Sequence, residues 1–183
     1  MRIGVCISGA SGAPYAKRLI EFLNGKVELF VVVSDEAKEI FEDETGVNID
    51  DFLKCKDVRY YDNRDFYSPL ASGSFKMDAG VVVPCSMKSL SAIANGFSES
   101  LIYRFADVCI KENRKLVLVV RETPLSAIHL ENMLKLARLG VTILPPIPAF
   151  YNKPKTINDI VDFVVGRILD VIGIENSIYE RWA

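Results

Sequence analysis

The chain has 183 residues, 50% of them apolar, with 22 basic and 24 acidic side chains and a formal net charge of -2. That length suits one domain, residues 1–183, with a substantial core, and the apolar content excludes a disordered chain. The absence of a basic block or an acidic tail argues against nucleic acid as a partner, and no apolar run approaches the roughly 18 residues of a membrane span.

Arg2 to Ile7 fits a buried strand. It runs into Ser8-Gly9-Ala10-Ser11-Gly12-Ala13, and a helix over about Pro14 to Asn24 follows. A parallel α/β protein places its ligand at such a junction. Free backbone N–H groups at the helix start favour an anion, and Gly9 and Gly12 allow close approach. The spacing is neither G-x-G-x-x-G nor a P-loop, so a plain capped βα turn stays open beside the ligand reading.

Val27 to Val33 is the second strand, and a helix follows Ser34 to about Glu44. Ser34 is open to two roles, helix cap or ligand contact. Asp50 to Leu53 suits a helical turn and Val58 to Tyr61 a short strand. Ala71-Ser72-Gly73-Ser74 marks a loop. A strand over Ala79 to Pro84 then ends in Cys85-Ser86-Met87-Lys88-Ser89, with a helix to about Ala94. The next helix covers Glu99 to Glu112, and a strand covers Leu116 to Val120. Thr123 and Pro124 signal a helix reaching Leu139, with a packed stripe of Leu130, Met133, Leu134 and Ala137. Val141 to Leu144 is the last strand, and prolines 145, 146 and 148 stiffen the segment leading to Tyr151. The final helix begins at Ile157, capped by Thr156 and Asp159, and buries a broad face that includes Ile157 and Ile160. Arg167 falls between apolar positions, where it either snorkels to solvent or draws a phosphate. Trp182 in the tail is expected to pack on a pocket or a neighbour.

Strands alternating with helices predict a three-layer α/β unit with a parallel sheet. Gly9 to Ser11, Ser34, Ser86 to Ser89 and Arg121 then share one crevice at the strand ends, suited to a phosphorylated, planar ligand. The cysteines, Cys6, Cys55, Cys85 and Cys109, stand at no metal-ligand spacing. Together with the lack of a signal-peptide pattern they point to a reducing cytoplasm. His129, the only histidine, has no catalytic partner by spacing and is expected to be structural.

Several stretches, taken in order, resemble the flavin prenyltransferase (UbiX/Pad1-like) family. They are Gly4 to Ala13, Ser72-Gly73-Ser74-Phe75, Pro84 to Leu90, Val120-Arg121-Glu122-Thr123-Pro124-Leu125, Pro145 to Tyr151, and Tyr179-Glu180-Arg181-Trp182. The resemblance spans essentially the whole chain. It implies a three-layer α/β/α Rossmann/flavodoxin-like fold and, without a metal, transfer of a dimethylallyl group from dimethylallyl monophosphate to reduced FMN. The prenylated FMN serves a UbiD-type decarboxylase, and the enzyme is implied to be a homo-oligomer, commonly a dodecamer. By motif, Gly9, Ala10, Ser11, Ser34, Ser86, Met87, Lys88, Ser89 and Arg121 contact FMN. Tyr151, Arg167, Lys111 and Trp182 bind the prenyl donor, and Glu122, Lys111 and Arg121 act in catalysis. Two other classes are weighed. An FMN-dependent cysteine decarboxylase needs a histidine near the first helix, where this chain has none; a non-catalytic flavin carrier leaves Tyr151 and Arg167 unused.

Overall fold

Short runs rich in valine, isoleucine and leucine are extended and apolar on both faces, so they form strands that helices must cover on each side. In the computed structural model, which describes residues 1–182, β1 (Arg2–Ile7), β2 (Glu28–Val33), β3 (Val58–Asp62), β4 (Ala79–Cys85), β5 (Lys115–Val120) and β6 (Thr142–Ile143) form one sheet. Their order is β3-β2-β1-β4-β5-β6, and every neighbouring pair is parallel. This is the doubly wound arrangement, with its switch point between β1 and β4.

Alternate residues of each strand enter different cores. Val5, Val31, Val81 and Val117 pack with α1 (Ala13–Leu23), α2 (Asp35–Thr45), α3 (Ile49–Lys54) and α7 (Ile157–Ile172). Cys6, Val32, Val82 and Leu118 pack with α4 (Met87–Ala94), α5 (Leu101–Lys111) and α6 (Ala127–Arg138). The expected three layers are therefore present, each helix burying one face against the sheet. Gly4 and Gly80 lie opposite each other in register. The buried Phe105 ring fills the space that a Cβ at either would need. Among the described residues, no helix is long and apolar enough to cross a membrane.

Most expected elements fall within a residue or two of their places. The helix start at Pro124 is corrected: α6 begins at Ala127, because Ser126 is its cap. The Ser126 Oγ accepts from the His129 backbone N–H, and His129 Nδ1 accepts from the Ser126 N–H, each at 3.2 Å. His129 is thus the reciprocal half of a capping box. The α6 stripe is corrected too. Met133 and Leu136 are buried, whereas Leu130, Leu134 and Ala137 are exposed. The helix packs mainly on α4 and the short edge strand β6, so a narrow stripe suffices. On α7, Ile157 is exposed and the packed face starts at Val161.

Candidate functional site

The carboxyl ends of β1, β2, β4 and β5 open onto one cleft of about 460 Å³. Gly9, Ser34, Ser86, Met87, Lys88, Ser89 and Glu122 line it, together with Ser8. Ser8 closes the gap between β1 and β4. Its Oγ donates to the Pro84 carbonyl at 3.0 Å and accepts from the Ser86 N–H at 2.9 Å. This buried hydroxyl fixes the two sides of the switch point against each other. Ser34 and Ser86 each cap a helix, accepting from the N–H of Ala37 and of Ser89, both at 3.2 Å. The cap role and the wall role therefore coincide, since both capping serines also line the cleft.

Gly9 is pressed against the Cβ of Glu36, so no side chain fits there. Ala10 is buried and Ser11 exposed in the same turn, and the expected single crevice is corrected here: Ala10, Ser11 and Arg121 stand near lining residues in the chain but do not line the cleft themselves. Across the mouth, Lys88 Nζ meets Glu36 at 3.3 Å. Glu36's own backbone N–H, then Ser34 and Lys88, hold its carboxyl below the usual range, and Glu36 in turn raises Lys88. Arg121 begins the segment after β5, its N–H bonded to the Cys85 carbonyl at 3.1 Å. Its Nε is buried without a partner. A buried guanidinium donor with nothing to bind is poised for an acidic or carbonyl ligand.

The start of α1 differs from expectation. Its free N–H groups do not wait for a ligand anion, because the Glu44 carboxylate accepts from Gly12 and Ala13 at 2.9 and 2.8 Å. The carboxylate satisfies two orphan donors and faces the positive end of the helix. A larger hollow of about 630 Å³, lined by Pro14, Arg18, Glu44, Asn158 and Asp162, carries none of the strand-end hydroxyls.

The residues expected to bind the prenyl donor form a separate group. Tyr151 meets Trp182 edge-on at 5.2 Å and Phe163 at 6.0 Å. Arg167 donates to Asp170 at 3.0 Å and lies near the Tyr179 hydroxyl. Trp182 leans on Tyr151 yet remains 77% exposed, so the expected pocket is not formed by this chain alone. Ala183, at the end of the tail, lies outside the described residues. Lys111 is brought to neither group. It ends α5 beside Glu112 and the Gly73 loop, whereas residues at the other end of that helix, Ser100 and Tyr103, line the cleft.

Sequence reasoning missed Asp35, Glu36, Asn63, Glu99, Ser100, Ile102 and Tyr103, which complete the cleft wall. Asn63 anchors the start of α5, its carbonyl accepting from Leu101 at 2.7 Å and its Oδ1 from Ile102 at 3.1 Å. Its place just beyond β3, like Ser34 beyond β2, was the available signal. Among the described residues, no group of three His, Cys, Asp or Glu side chains is placed to hold a metal ion.

A doubly wound sheet with a hydroxyl-lined cleft at its switch point is the arrangement of a flavoprotein, and the Flavoprotein family model matches residues 1–169. The chain is 57% identical over 182 residues to the flavin prenyltransferase UbiX of Methanocaldococcus jannaschii, covering 100% of this chain and 98% of that protein. It belongs to the UbiX-like flavin prenyltransferases. The crystal structure of a dodecameric FMN-dependent UbiX-like decarboxylase from Escherichia coli O157:H7 superposes with a TM-score of 0.97 at 46% identity, covering 100% of both chains. AnUbiX (PadA1), in complex with FMN and dimethylallyl pyrophosphate, matches with a TM-score of 0.96 at 44% identity, over 100% of this chain and 97% of that one.

Proposed function

We propose that the protein transfers a dimethylallyl group from dimethylallyl monophosphate to reduced FMN, and that the prenylated FMN passes to a UbiD-type decarboxylase. The observation that carries this reading is the switch-point cleft, with its ring of hydroxyls and the unpartnered Arg121 Nε beside it. The residues present fit a flavin: the turn at Gly9 excludes side chains, and serine hydroxyls match polar ring edges and a phosphate. Gly9, Ala10, Ser11, Ser34, Ser86, Met87, Lys88 and Ser89 would hold it, with Arg121 next to them.

Reduced FMN supplies the electron-rich nucleophile, at N5 and then C6. As the allylic C–O bond breaks, negative charge grows on the leaving phosphate. Arg167, Lys111 and Arg121 with the Tyr151 hydroxyl would stabilise that charge. Glu122, at the cleft wall, would carry a proton during ring closure, and Trp182 would flank the prenyl group. No metal enters this scheme.

The same reading includes a single domain over residues 1–183 in a cytoplasmic homo-oligomer, specifically a homododecamer. Lys111 supports shared sites, since the length of α5 puts it roughly 16 Å from the cleft end of that helix. The exposed Leu130 and Leu134 on one flank of α6, and Ile128 on the other, leave apolar surface that a second copy would cover. Free cysteines at all four positions fit a reducing compartment.

The test is anaerobic incubation with reduced FMN and dimethylallyl monophosphate, then mass analysis of the released flavin. A flavin heavier by one prenyl unit is expected. FMN binding with no heavier product, from the monophosphate or the pyrophosphate, would overturn the assignment.

A further inference from the structure

One carboxylate near the end of α7 gathers the whole C-terminal segment. Asp170 Oδ2 accepts from Tyr179 Oη at 2.7 Å and from Arg167 Nη1 and Arg181 Nη1 at 3.0 Å each. Its Oδ1 accepts from Arg181 Nη2 at 2.7 Å and Asn176 Nδ2 at 2.9 Å. The side chain is only 18% exposed. Such a carboxylate is strongly bound by what surrounds it, and Arg181 grips it through both oxygens. Asn176, Tyr179 and Arg181 all lie beyond α7, in a segment with no helix or strand of its own.

The segment has a seat. α7 ends at Gly173, whose φ of 82° turns the chain back along the helix. The Tyr179 ring occupies the space that a Cβ at Gly166 would take. From there a file of edge-on rings runs outward: Tyr179 to Phe163 at 5.4 Å, Phe163 to Tyr151 at 6.0 Å, Tyr151 to Trp182 at 5.2 Å. Asp170 thus touches Arg167 directly and reaches Tyr151 and Trp182 through the docked tail. Between two guanidiniums it also leaves a net positive charge, which favours an anionic ligand.

We infer that Asp170 is the positioning residue of the prenyl-donor side of the site: by docking the C-terminal segment on α7 it fixes Arg167, Tyr151 and Trp182 relative to one another, without touching the substrate itself. The inference rests on the functional reading above for what those three residues bind, and on the geometry alone for the docking.

Trp182 is the only tryptophan, so its emission reports the docked tail. The experiment compares the wild type with Asp170→Asn in the full chain. It measures Trp182 anisotropy and acrylamide quenching without FMN, FMN affinity, and steady-state kinetics with dimethylallyl monophosphate. In Asp170→Asn, anisotropy is expected to fall and quenching to rise. KM for the prenyl donor should increase about tenfold while FMN affinity stays within about twofold. A Trp182 signal and a donor KM equal to wild type would overturn the inference. So would an undocked Trp182 with an unchanged donor KM. Should Asp170→Asn fail to fold, Arg181→Met cuts the same link from the exposed tail and is judged by the same readouts. If the wild type makes no prenylated flavin, the functional reading fails, and the Trp182 signal still decides the docking.

Discussion

At the scale of single residues, the tightest constraint in the sheet is the pair Gly4 and Gly80, facing one Phe105 ring. A methyl group at Gly4 would lie inside that ring, and the ring has no empty space to move into because Phe105 is fully buried. Gly4→Ala is therefore expected to cost about 2 kcal/mol, read as a drop of several degrees in Tm. The cleft lies at the far ends of the same strands, so FMN affinity of the folded variant should stay at the wild-type level. A glycine inside a strand was visible in the sequence and signals close approach. Its partner was not, because the pairing of β1 with β4 depends on the strand order. The cleft residues divide in the same way. Ser34 and Ser86 were legible because each follows an apolar run and precedes a helix. Glu44 carries no local signal, since its carboxylate acts on a turn some thirty residues earlier.

At the scale of elements, α2 flanks the β1–α1 turn at two points. Its first turn packs Glu36 against Gly9, and its last turn sends Glu44 to Gly12 and Ala13. Glu44→Ala should remove a cap worth about 1 kcal/mol. The same loosening should weaken FMN binding about fivefold if, as proposed, the turn it steadies is part of the flavin wall. Thermal unfolding and quenching of flavin fluorescence measure the two effects. Glu44→Gln, which keeps an acceptor, should fall between Ala and wild type. Normal FMN affinity in Glu44→Ala would separate the cap from the cofactor turn. Element boundaries were legible wherever a cap stood next to its apolar stripe, as at Thr156 and Asp159 before α7. They were misread at α6, where Thr123 and Pro124 imitate a start and the true cap, Ser126, is answered by a histidine in place of the usual acid or amide.

At the scale of the whole molecule, alternating strands and helices made the three layers and the strand-end cleft legible. The gathering of the remaining site residues was not. Lys111 stands at one end of α5 and the cleft wall at the other, so within one chain they cannot share a phosphate. Periodicity places a residue on its own helix and says nothing about which copy it faces. This gives a test by mixed subunits: Lys111→Ala and Glu122→Gln, each inactive alone, are coexpressed. If the two residues belong to one site built from two subunits, random assortment restores about a quarter of the wild-type rate. No recovery in mixed oligomers would place both residues in the site of a single chain. The apolar flanks of α6 belong to this scale as well, since helical periodicity alone assigned Leu130 and Leu134 to the core.

The two central strands of the sheet, β1 and β4, are synthesised far apart in time. Ser8 and Pro84, which join the two halves of the cleft, are 76 residues apart. At ordinary rates of synthesis, β1 waits roughly 4 to 15 seconds for β4 to appear. For that interval one edge of β1, with Ile3, Val5 and Ile7, has no partner. The nascent chain can complete the β1–β2 pair but not the crevice between β1 and β4. The candidate cleft therefore matures late, although its first loop is made well before its last. Unpaired apolar edges of this kind recruit chaperones or other nascent chains, so slowing synthesis between β2 and β4 is expected to lower the protein's yield in a cell.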